Sequence, residues 1–135
     1  MIDIETLNKA ISLTQNGYVR EAESLYLNLL EQNPDDYLLL STLGLFYVNI
    51  RDYEKASEYL EKACTIKETA GTISALGFAE FEKRNFEKSS EILERALAFG
   101  ENPDIYNKLI LSLFQIKSYK KAVDYSVQMY EKYPD

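Results

Sequence analysis

Apolar residues in the stretch 40–63, LSTLGLFYVNIRDYEKASEYLEKA, fall at the intervals of a helix surface. Leu40, Leu43, Tyr47 and Ile50 recur three and four apart, and Tyr53, Ala56, Leu60 and Ala63 take up the same spacing after a short break. Residues so spaced share one face of a helix, so the stretch predicts two amphipathic helices. Asp52 stands at the break, where its carboxylate can accept from the free N–H groups that open the second helix. Gly44 lacks a side chain and lets a facing helix come close. The unit predicted is an αα-hairpin.

Looser copies of this hairpin fill the chain. A small residue recurs at Ala22, Ala56, Ser89 and Ala122, at separations of 34, 33 and 33 residues. Three residues before it stand Val19, Tyr53, Phe86 and Tyr119; four after it stand Tyr26, Leu60 and Leu93, with Ser126 in the last copy. Twelve before it stand Ala10, Gly44, Gly77 and Ile110. A steady period of this length, with two helices in each, predicts a row of stacked hairpins. The helices expected are 3–15 and a second to 32, about 36–50 and 52–66, 69–84 and 85–100, then 103 onward and 118 to just before Pro134. Asn16-Gly17 and Asn33-Pro34 mark turns, Pro103 suits a first helical turn, and Asn85 and Ser118 are the expected N-caps.

Leu40, Leu43-Gly44, Tyr47, Ala56, Leu60 and Ala63, with Pro34 and Pro134 at repeat ends, carry a resemblance to the tetratricopeptide repeat family. Four tandem repeats in register cover nearly all 135 residues. The resemblance implies an all-α fold, a right-handed α-solenoid of eight antiparallel helices. It would form a single array with repeats at 3–36, 37–69, 70–102 and 103–135. Three positions depart from the pattern: Ser89 replaces alanine, Ile110 replaces a small residue, and Glu80 stands where the sister repeats have Leu13, Tyr47 and Leu113. Glu80 is expected to lean to the rim and pair with Arg84 one turn later, the alternative being a charged anchor for a partner.

In this family the first helix of each repeat lines a concave groove. The implied groove positions here are Leu7, Ile11, Thr14, Leu45, Val48, Phe78, Phe81, Leu111 and Phe114, with Asn49, Asn107 and Lys108 among the polar groups that would orient a ligand. The family often has asparagine where this chain has Ile11, Leu45, Phe78 and Leu111, so the row is unusually apolar. The function implied is a non-enzymatic scaffold that binds an apolar helix or peptide segment. The family's two-carboxylate clamp for chaperone tails would fall on Leu7, Ile11, Thr42, Gly71 and Ala75, or on Ser41, Leu45, Ala75, Asp104 and Lys108. Only Lys108 has the charge the clamp needs, so chaperone-tail binding is not expected.

Composition narrows the chemistry further. The chain has no histidine, which removes the commonest general base and neutral metal ligand. Its glycines are scattered, and no catalytic, cofactor or metal site is expected. Cys64 is the single cysteine and stands where the other repeats have Leu30, Leu97 and Tyr130, so it reads as a small core residue. An intrachain disulfide cannot form, which suits a reducing compartment, and a cytoplasmic location is expected. The net charge of −7 argues against nucleic acid as partner. It is uneven, with −5 over residues 1–36 and +1 over residues 103–135. No apolar run approaches the roughly 18 residues of a membrane span, and MIDIETLNKA lacks the features of a signal peptide.

The two ends of the array differ. Thr6 and Lys9 stand where inner repeats have Leu40 and Leu43, as a solvated end requires. The last helix instead carries Val123 and Val127 where earlier ones have Glu23, Ser57 and Ser90, then Leu27, Glu61 and Glu94, and adds Tyr130. Val123, Val127 and Tyr130 therefore predict an interface with a copy of the chain or with a following domain. On that reading the chain is the N-terminal module of a longer protein or an oligomer.

Overall fold

The computed structural model describes residues 1–134. Among the described residues eight helices follow one another: α1 (Ile4–Gln15), α2 (Val19–Gln32), α3 (Tyr37–Asn49), α4 (Tyr53–Ile66), α5 (Ala70–Glu82), α6 (Phe86–Leu97), α7 (Pro103–Gln115) and α8 (Tyr119–Lys132). No strand occurs among the described residues. The fold is all-α, built of helix-turn-helix repeats. By contact the chain divides into two compact units, Met1–Lys67 with α1 to α4 and a second from Glu68 on with α5 to α8. The division falls within two residues of the repeat boundary expected at 69.

Side chains set the helix starts. Asp36 accepts from the Leu39 N–H at 2.9 Å, Asp52 from Lys55 at 3.2 Å, and Asn102 from Ile105 at 2.9 Å. Thr69 and Thr72 bond each other's backbone N–H in a capping box. Asn85 and Ser118 occupy the N-cap positions but their side chains make no capping bond, so these two expected caps are corrected. Asn85 turns inward instead, and its Nδ2 donates to Glu80 Oε2 at 3.0 Å.

All four hairpins close by one device. The N–H groups of Tyr18, Asp52, Asn85 and Ser118 donate to the carbonyls of Leu13, Tyr47, Glu80 and Leu113 at 2.8–2.9 Å. The residue before each donor is left-handed: Gly17 at φ 85°, Arg51 at 65°, Arg84 at 66° and Lys117 at 64°. Its own N–H bonds the carbonyl three residues back, which completes a Schellman turn. Only the first turn uses the residue that adopts this conformation without strain.

Packing explains the small residues of the repeat. A Cβ added to Gly44 would meet Leu60 Cγ at 2.6 Å, and one added to Gly77 would meet Leu93 Cδ2 at 2.5 Å. Glycine is thus what lets α3 seat on α4 and α5 on α6. Ser89, which replaces the expected alanine, is buried with both ends of its hydroxyl used. Its Oγ donates to the Gly77 carbonyl at 3.0 Å and accepts from Ser112 Oγ at 3.3 Å.

Two expectations change at this level. Glu80 is not at the rim: it is fully buried, with Lys83 Nζ at 3.3 Å, Lys88 Nζ at 3.7 Å and the Asn85 amide on its carboxylate. Desolvating a carboxylate is costly unless it is ion-paired and hydrogen-bonded, and these groups supply both. Arg84 instead lays its guanidinium over the Phe86 ring, 5.3 Å from the centroid. Cys64 is half-buried on α4 and not a core residue.

Candidate interaction faces

In the first unit, the face made by the first helices of the repeats is a shallow hollow of about 220 Å³ between α1 and α3. Ile11, Thr14, Leu45, Phe46 and Asn49 are among its walls. Leu45 stands out exposed, and Val48, three residues on, is half-buried. Leu7, expected in this row, is only 3 % exposed. It belongs with Ala10, three residues on, to the stripe of α1 that is buried in the packing with α2, so it has no surface to offer a partner.

In the second unit the same face is richer in rings. Phe78 and Phe81 on α5 are half-buried, and the ammonium of Lys108 on α7 lies 5.4 and 4.8 Å from their centroids. Such a geometry attracts a cation to the ring faces, so Lys108 is held down on the rings and does not reach freely into solvent. Asn107 beside it is exposed. Leu111 and Phe114, next along α7, are 51 % and 59 % exposed. Phe81, Phe86, Leu111 and Gln115 help to wall a hollow of about 280 Å³.

Tyr119 belongs to this patch, although the sequence pattern assigns it to the inner stripe of α8. It is half exposed and meets the Phe114 ring edge-on, with centroids 5.2 Å apart. Its sister Phe86 meets Phe81 in the same way at 5.4 Å, so the repeat register could have identified it. The stripe on α8 is exposed throughout, with Val123 at 60 % and Tyr130 at 69 % and Val127 between them.

The electrostatics of these faces is plain. No group of three carboxylates or cysteines that could hold a metal ion occurs among the described residues. No described helix is long and apolar enough to cross a membrane. Tyr47 is the most perturbed phenol: burial first, then its hydrogen bond to Glu23 at 2.8 Å, pushes its pKa well above the ordinary tyrosine value. Lys55 also reaches Glu23, at 3.9 Å. At the other end of the chain a hydrogen bond from Lys132 holds the Glu101 carboxyl below its ordinary value. The first ties α2 to α3 and α4, the second ties the segment before α7 to α8, and neither converges on a cleft.

A tetratricopeptide repeat family model matches residues 39–69, the second repeat. No curated protein sequence matches the chain. Solved structures with the same fold include MamA AMB-1, 21 % identical with a TM-score of 0.88 over 93 % of this chain and 70 % of that one. MamA MSR-1 is 22 % identical, with a TM-score of 0.86 over 96 % of this chain and 76 % of that one. YrrB, a tetratricopeptide protein with an unusual peptide-binding site, is 21 % identical, with a TM-score of 0.84 over 96 % of this chain and 68 % of that one. The family resemblance read from the sequence therefore holds: residues 39–69 match the repeat itself, and the fold is that of tetratricopeptide proteins.

Proposed function

From the tetratricopeptide fold as premise, we propose that the chain is a non-enzymatic protein-interaction module that buries an apolar helix or extended segment on the face of its first helices. The observation that carries this is the exposed pair Leu111 and Phe114, continuous with Tyr119 and with the Phe78–Lys108–Phe81 cluster. Apolar side chains grouped this way on a soluble surface mark interaction sites, and a helix or strand laid in a hydrophobic groove is a recurring mode of recognition. Leu45, Val48, Ile11 and Asn49 offer a second such face in the first unit. A solved structure of the same fold, YrrB, has a peptide-binding site. The single cysteine fits a reducing compartment, and we place the protein in the cytoplasm.

The test is selection of peptides from a random display library on the intact chain. Peptides carrying two or three apolar anchors at helical or alternate spacing are expected. Leu111→Ser with Phe114→Ser should abolish their binding at an unchanged melting temperature, since both side chains already face solvent. Each anchor is worth roughly 1.5–3 kcal/mol, and a micromolar complex holds about 8 kcal/mol, so losing both puts binding below detection. Binding that survives the double substitution would overturn the reading.

A second reading is favoured by α8. Val123, Val127 and Tyr130 lie on one stripe and are all exposed, which suits a surface covered by another copy of the chain or by a domain that follows it in a longer polypeptide.

A further inference from the structure

We propose that the α8 stripe is covered by the α1–α2 face of a second copy of this chain, so that copies associate head to tail. This rests on the self-association reading above and names the surface that does the covering.

The way one repeat grips the one before it supplies the template. In the second unit α7 packs on α6, and Lys121 on α8 pairs with Glu94 on α6 at 3.2 Å. Ser90, one turn before Glu94, is 4 % exposed. One repeat period of 33 residues carries Ser90 and Glu94 onto Val123 and Val127. The positions that are buried or half-buried on α6 are therefore bare on α8, and there they are apolar. In the first unit the grip is alike: Tyr47 and Lys55 of the second repeat both reach Glu23 of the first.

The gripping positions stand open at the other end. Leu109, Leu113 and Lys121 of the fourth repeat correspond to Lys9, Leu13 and Glu21 of the first. With Arg20, Ser24 and Leu25 these line an open hollow of about 520 Å³ on α1 and α2. Its half-buried Leu13 and Leu25 share the lining with two exposed cations, Lys9 and Arg20, and one exposed carboxylate, Glu21. The same step that puts Tyr47 on Glu23 puts Leu13 of an incoming copy on Val123.

Chemistry supports this occupant. Val123, Val127 and Tyr130 offer apolar area to Leu13 and Leu25, while the exposed carboxylates Asp124 and Glu131 flank the stripe and suit Lys9 and Arg20. Residues 1–36 carry −5 and residues 103–135 carry +1, so unlike ends attract where two first repeats would repel. The joined faces differ, and every docked copy leaves one of each open, which makes the contact heterologous.

Light scattering over a concentration series tests it on the intact chain. The wild type should grow past the dimer. Lys9→Glu/Arg20→Glu, which spoils the hollow, and Val123→Ser/Val127→Ser, which spoils the stripe, should each stay monomeric with unchanged melting. Mixed in equal amounts, the first still offers a stripe and the second a hollow, so they should form a one-to-one complex that grows no further. A wild type that is monomeric at every concentration would overturn the proposal. So would a failure of the two variants to recombine. A dimer lost only on changing α8 would mean that α8 meets α8, which keeps self-association but sinks the head-to-tail contact. Leu111→Ser/Phe114→Ser should associate as the wild type does, which separates this outcome from that of the peptide selection.

Discussion

At the scale of single residues, the four hairpin turns pose the same problem and solve it unequally. Gly17 adopts its φ of 85° without strain, whereas Arg51, Arg84 and Lys117 hold their side chains in a left-handed backbone. Lys117 is exposed and makes no ion pair or ring contact among the described residues, so its side chain contributes little to offset that cost. Lys117→Gly should therefore raise stability by about 0.5–1 kcal/mol, and Gly17→Ala should lower it by a similar amount or more. Urea denaturation midpoints of the two variants decide the matter, and a destabilised Lys117→Gly would show that the lysine does something the turn geometry does not reveal.

At the scale of helix pairs, close approach is set by two facing positions, the residue twelve before the repeat's small residue and the one four after it. Gly44 faces Leu60 and Gly77 faces Leu93, with contacts that leave no room for a methyl group. The same register sets Ile110 opposite Ser126, with large and small exchanged between the helices. A departure from the family pattern on one helix is thus accompanied by the opposite change at the facing position, as close packing favours. Both positions are half-buried, so Ile110→Ala should cost about 1–2 kcal/mol by lost burial, and Ser126→Leu about 1 kcal/mol by crowding. Together they should cost less than the two added, and thermal unfolding of the double-mutant cycle measures the coupling. Strict additivity would mean that the two side chains do not meet.

At the scale of the molecule, buried and half-buried tyrosines tie both units to pH. Burial raises the pKa of Tyr26, Tyr47 and Tyr59 in the first unit and of Tyr106 and Tyr125 in the second. An unfolded tyrosine releases its proton near pH 10, while these folded ones keep theirs, so the native state binds more protons above that pH. Their contribution is complete below about pH 10 and is lost as pH climbs toward the folded values. Denaturation midpoints measured between about pH 9 and pH 11 should fall, and less steeply for Tyr47→Phe. A flat profile would show that the phenols ionise in place.

The sequence by itself determined the helices, their pairing into hairpins and the fold, because a stripe at intervals of three and four and a period of 33 or 34 residues survive large changes of side chain. It also marked Gly44 as a close approach, since only a missing side chain permits it. Tertiary structure alone decided what each polar or apolar exception does. Glu80 reads as a rim residue from its charge, yet Lys83, Lys88 and Asn85 converge to bury it. Leu7 and Phe114 read alike as apolar members of one row, yet the first is sealed in the core and the second stands in solvent. Periodicity assigns a residue to a side of its helix, while burial depends on which neighbouring helices and side chains close over that side, and the spacing of one helix does not specify those.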